Sequence, residues 1–89
     1  MRKITKQIKS AFEERQSLAI GNTHTDGNGV WLHGNLIIKR EGEKILGTLA
    51  GWPTPTTRER LNGITSGSWT QHNWEPHHNG KPIGENEWR

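Results

Sequence analysis

Apolar residues are scarce along this chain, and they recur in two different rhythms. Ile4, Ile8, Ala11 and Phe12 fall on one face of a helix, with Lys3, Lys6, Gln7, Lys9, Ser10 and Glu13 around the rest of its circumference. The spacing predicts a helix over about residues 3–15. So short a helix is marginal by itself, so its stripe should dock on a sheet. The densest apolar run is Val30 to Ile38, V-W-L-H-G-N-L-I-I. If extended, it places Val30, Leu32, Leu36 and Ile38 on one face and Trp31, His33, Asn35 and Ile37 on the other. Alternation with β-branched and aromatic residues marks a strand, expected from about Val30 to Arg40.

The polar punctuation orders the rest. Leu18 and Ile20 open a strand that continues through Asn22, Thr23, His24 and Thr25, and Asp26-Gly27-Asn28-Gly29 supplies a tight reversal. Glu41-Gly42-Glu43 makes a second turn, and Lys44 to Ala50 returns as a third strand. Loops this short enforce antiparallel neighbours, because parallel ones need a long crossover. Gly51-Trp52-Pro53 then breaks the sheet. Thr54 suits an N-cap with Pro55 at the first helical position, and Thr56-x-x-Glu59 offers a competing capping box. A short helix to about Asn62 follows, with Gly63 as its terminator.

These elements predict an α+β fold of order α-β-β-β-α, its N-terminal helix packed on a three- to four-stranded antiparallel sheet. Residues 1–65 form the single small domain. Residues 66–89 are a tail rich in Trp and His that packs on it. Ser68 to Trp74 is available as a fourth strand. Asn79-Gly80 signals a hairpin, but Pro76 and Pro82 on its two arms argue against a regular ladder there.

Composition narrows the picture. Eighty-nine residues make one domain, and only 28% are hydrophobic, so the core is small and the margin of stability thin. Self-association or a stabilising partner is therefore expected. No cysteine is present, which removes disulfides and thiolate metal sites. No stretch has the length of apolar residues needed to cross a bilayer, and the basic N-terminus lacks the apolar segment of a secretory signal. The net charge of +3 sits on residues 1–16, where Arg2, Lys3, Lys6, Lys9 and Arg15 face only Glu13 and Glu14. That excludes a mimic of DNA and favours an acidic partner.

Reactive constellations are missing. No serine has a nucleophile-elbow setting, the single aspartate belongs to a turn, and Gly27-x-Gly29 is not followed by a helix that would cradle phosphate. His72, His77 and His78 lack the recurrent spacing of a zinc site and have no nearby aspartate to complete a ligand set. The expectation is no enzyme, no cofactor and no metal. Five tryptophans in so small a chain point to recognition instead, since Trp anchors interfaces. The plainer alternative lets Trp31 and Trp52 cap the core. The short helix carries Thr56, Thr57, Arg58 and Arg60, donors suited to an acidic surface or phosphate. The predicted binding face is Trp52, Thr56, Thr57, Arg58 and Arg60, with Trp69 and Trp74 of the tail beside it.

Trp31-Leu32-His33-Gly34-Asn35-Leu36-Ile37, Thr48 to Thr54 and Thr56 to Gly63 together resemble small accessory proteins of tailed bacteriophages. Those proteins often carry an L-H-G-N-x-I … A-G-W-x-T-x-T-T-R-x-R-L-N pattern. The resemblance spans roughly residues 20–64 and brings no established activity. It implies a phage accessory protein acting in the cytoplasm of an infected bacterium. Such a protein is expected to bind and modulate a host protein, in host takeover or against an antiviral system. A small nucleic-acid-binding protein is the alternative.

Overall fold

The apolar run at the middle of the chain does not stay extended. In the computed structural model, which describes residues 2–89, it reverses at His33-Gly34 and becomes β3 (Gly29–Leu32) and β4 (Asn35–Glu41). Both turn residues have positive φ, 50° and 81°. This is the conformation in which a two-residue loop follows the twist of its strands. The preceding stretch, read as one strand, likewise folds at Gly21-Asn22 into β1 (Leu18–Ile20) and β2 (Thr23–Thr25). Asp26 closes the next loop by accepting the backbone N–H groups of Asn28 and Gly29 at 2.9 and 3.0 Å. Those bonds hold its carboxyl below the usual range.

With β5 (Lys44–Gly47), joined through Gly42-Glu43, the chain builds an antiparallel sheet of five strands in sequence order. Strict alternation fails within it at one point. Val30 pairs with Ile38 but Trp31 pairs with Leu36, so Ile37 is an extra residue in β4. The bulge turns both Ile37 and Ile38 into the core, instead of leaving Ile37 on the second face.

The N-terminal helix α1 (Lys3–Glu13) lays Thr5, Ile8, Ala11 and Phe12 on this sheet. Its charges run against its own dipole. Arg2, Lys3 and Lys6 stand at its start and Glu13 and Glu14 at its end, with no acid in the first turn and no base in the last. Each misplaced charge costs roughly 0.3–1 kcal/mol at low ionic strength. Arg40 satisfies the other end of the helix, donating to the carbonyl of Phe12 and lying 4.1 Å over its ring.

The second helix, α2 (Pro55–Ile64), starts as expected. Thr54 Oγ1 accepts the Thr57 N–H at 3.1 Å, and Pro55 takes the first position. Gly63 does not end it; the helix continues through Gly63 to Ile64. Nor does Glu59 turn back to Thr56 as a capping box. Thr5, Arg2 and Arg60 take it up instead.

Residues 66–89 form a second antiparallel sheet, β6 (Trp69–His72), β7 (Glu75–His78) and β8 (Lys81–Pro82). Its prolines do not prevent the ladder. The Pro76 carbonyl accepts from Ile83 N–H at 3.0 Å, so its nitrogen is turned to β8 just beyond the last paired residues, His77 and Pro82, and no bond to β6 is lost. Pro82 lies opposite His77, where its nitrogen turns to the open edge. The small sheet joins the same core through Trp69 and Ile83. Asn62 fastens it to α2, donating to the Trp69 carbonyl and accepting the Trp69 N–H. Gly47 is where this packing is closest. A Cβ there would meet Leu61 at 2.8 Å and the Trp69 ring at 3.0 Å.

Candidate functional site

The strands β1, β3 and β5 all run toward one end of the large sheet. The reversals Gly21-Asn22 and His33-Gly34 lie at that end, and so does the segment that leaves β5 for α2. Within this segment Ala50 and Gly51 take positive φ, 54° and 72°. Trp52 follows and stays 58% exposed. Beside it opens a cleft of about 320 Å³ lined by His33, Asn35 and Trp52. Below the cleft, His33 approaches Asn22 at 3.4 Å.

A second exposed tryptophan reaches toward the same end. Asn62 pairs with Trp69 and Arg58 with Gln71, so β6 runs back along α2 toward its N-terminus. The hairpin tip Asn73-Trp74 extends past Gln71 in that direction. Trp74 is 91% exposed and has φ 66°. A bulky residue rarely adopts that conformation, which usually calls for glycine. Arg58 braces this hairpin on the loop: its Nη1 donates to Gln71 Oε1 at 2.6 Å and to the Pro53 carbonyl at 3.1 Å.

The structure divides the residues expected to form the binding face. Trp52, Thr56, Arg58 and Trp74 lie exposed or half-buried around the start of α2. Thr57, Arg60 and Trp69 do not share that surface; they are 1%, 2% and 2% exposed. The Thr57 hydroxyl donates to the Trp52 carbonyl at 2.9 Å and holds the loop from beneath. Trp69 fills the core between α2 and the small sheet, its indole N–H on Thr65 Oγ1 at 3.3 Å. Nor does Trp52 cap the core, as the plainer alternative had it.

Arg60 departs furthest from expectation. Its Nε donates to Thr23 Oγ1 and its Nη1 to Thr5 Oγ1, each at 3.0 Å; its Nη2 reaches Asn22 Oδ1 at 3.4 Å. An ion pair with Glu59 completes the set. Burial works to raise the Glu59 pKa. Hydrogen bonds from the Thr5 hydroxyl, the Arg2 N–H and Arg60, with the Arg60 charge, outweigh it and hold the carboxyl below its usual range. Glu59 therefore stays ionised and compensates the buried guanidinium. The arginine that sequence spacing placed at the surface is a clasp between α2, α1 and β2.

His33 and Asn35 were missed because an unbroken strand kept them on its second face. The His-Gly-Asn tripeptide inside an apolar run was the available signal. The tail histidines are dispersed. His72 and His77 meet edge to face at 6.1 Å, while His78 packs on Trp69 at 4.6 Å. Burial, then the Arg89 charge, lowers the His78 pKa. Among the described residues, no group of three or more His, Asp or Glu side chains is arranged to hold a metal.

The family model described as Kyanoviridae Gp96 protein matches residues 1–89. The chain belongs to the Kyanoviridae Gp96 protein family. It is a small phage protein. No match was found among curated proteins or solved structures. None of the described helices of this Gp96 family member is long and apolar enough to cross a membrane.

Proposed function

We propose that this phage protein acts without catalysis, by binding a protein of the infected bacterial cell and modulating it. Its cytoplasmic target would belong to host metabolism or to an antiviral system. Trp74 carries this reading. An indole in a left-handed turn conformation, 91% exposed, contributes nothing visible to the fold. Strained backbone of this kind collects at ligand-contacting sites, and tryptophan dominates interface hot spots. Trp52 supplies a second anchor at the same end, and Arg58 keeps the hairpin aligned with the loop.

Affinity capture from nuclease-treated host lysate tests the proposal. The native chain should retain a host protein in stoichiometric amount, and Trp52→Ala with Trp74→Ala should lose it while unfolding at the same temperature. Equal retention by the double variant would place the binding site elsewhere. Recovery of nucleic acid and no host protein from the same lysate without nuclease would replace this reading with the nucleic-acid one.

A further inference from the structure

The outward face of α1 is a second charged surface, away from the tryptophans in chemistry and in use. Lys3, Lys6, Gln7 and Ser10 are exposed there, with Arg2 just before them. Residues three apart lie on adjacent turns of one helix face, so the cations stand side by side. None of them joins the ion pairs seen among the described residues, which are Lys39 with Glu41, Arg60 with Glu59 and Arg89 with Glu87. Farther along the helix the field ends: Lys9 shares a groove with Glu13 and Glu43. The like charges repel one another and oppose the helix dipole. The fold gains nothing from them, but an external anion would relieve both effects.

We propose that this face binds the phosphate backbone of nucleic acid without reading its sequence, through Arg2, Lys3 and Lys6, with Gln7 and Ser10 donating to the same backbone. The chemistry of the surface selects this partner. The apolar side of α1 is occupied inside the protein, with Ile8 and Phe12 0% exposed, so the helix has no wedge to insert into a bilayer. Among the described residues the exposed large apolar side chains are Ile45, Trp52 and Trp74, none of them on this face; a protein interface would want such an anchor. Over its first two turns, before Glu13 and Glu14 close the face at the far end, it offers cations and small polar donors, the set that grips phosphates and fixes register without specifying bases. Arg2, Lys3 and Lys6 lie within about 6 Å of one another along the helix axis, and their long flexible side chains spread to separate phosphates, for up to three contacts.

Salt dependence gives the test its number. Each phosphate neutralised contributes about −0.9 to the slope of log K against log salt on duplex DNA, and about −0.7 on a single strand. The full-length protein, titrated into a short fluorescent duplex and its separate single strand, should show slopes of about −2 to −3 by anisotropy. Duplexes of unrelated sequence should bind alike. Lys3→Gln and Lys6→Gln should each reduce the slope by about one, with circular dichroism unchanged. Lys44→Gln, which removes the same charge at the far β4–β5 turn, should leave the slope intact. Failure to bind either DNA at low salt would overturn the proposal. So would slopes that Lys3→Gln and Lys6→Gln leave unaltered. Two further results would also sink it: phosphatidylglycerol vesicles bound in preference to DNA, or polyglutamate bound as tightly as DNA.

Discussion

Helix α1 buries Thr5, Ile8, Ala11 and Phe12, whereas α2 buries Thr57, Arg60, Leu61 and Ile64. Apart from Thr5, which belongs to the arginine's network, the first seam is a dry stripe, non-directional and tolerant of small shifts. The second has an ionised arginine at its centre, held by two threonine hydroxyls, an asparagine and Glu59. Among the described residues no buried side-chain nitrogen or oxygen lacks a hydrogen-bond partner. A polar seam of this kind gains little net energy over apolar packing, because desolvating the charges offsets their attraction. It does fix geometry, since each bond is directional. We infer that α1 supplies adhesion and α2 supplies alignment, which sets the loop carrying Trp52 at a defined angle to the sheet.

Removing the polar clasp should have the largest effect. Arg60→Ala leaves Glu59 without its counter-charge and should cost about 3–5 kcal/mol, enough to unfold a domain of this size near room temperature. Urea denaturation measures it, and a loss below about 1 kcal/mol would show that the clasp is ornamental. The acid limb should come next. The folded Glu59 pKa is depressed, so its stabilisation is complete above the unfolded carboxylate value. That contribution fades as pH falls through the folded one. Melting temperature should decline across that acid range in the native chain and decline less in Glu59→Gln; parallel curves would contradict the assignment. Glu59 is about one-fifth exposed, so this loss should be smaller than that of Arg60→Ala.

On the dry seam the same kind of probe should do less. Ile8→Val removes one methyl group and should cost about 0.5–1.5 kcal/mol, with no new pH dependence. Smallest of all should be Arg58→Ala. This arginine stands two positions before Arg60 but bonds at the surface, so its loss should stay within about 1 kcal/mol. Hydrogen exchange should then show the β6–β7 hairpin opening more often, with the core unchanged. If Arg58→Ala unfolded the protein as Arg60→Ala does, the two sides of α2 would not differ as described.

The contrast also accounts for what sequence reasoning could reach. The α1 stripe, the Thr54-Pro55 start of α2 and the antiparallel class follow from apolar spacing and turn residues, and all are seen. Arg60 was not legible. Spacing rules send charge outward, and only the positions of Thr5, Thr23 and Asn22, supplied by other elements, make an inward arginine stable. The hairpin at His33-Gly34 was hidden because its flanks are apolar on both sides, so alternation ran across it without interruption. The ladder in the tail was discounted on proline count, when what matters is the side to which each proline nitrogen points. At the candidate surface, Trp52, Thr56, Arg58 and Trp74 could be named in advance, but what brings Trp74 toward α2 is the pairings of Asn62 and Arg58, which no local pattern encodes.

The large sheet has a kinetic consequence. Its strands are neighbours in space in the order in which they are neighbours in the chain, and such hairpins close on the order of 1–10 μs. Arg60 must instead find Thr23 and Thr5, which lie 37 and 55 positions away, and closing long loops costs entropy before any contact rewards it. The hypothesis is that the meander assembles early and the arginine clasp shuts last. A chevron series should then show Thr23→Ala mainly speeding unfolding, while disruption of the His33-Gly34 turn slows folding. The reverse pattern would make the clasp the nucleus.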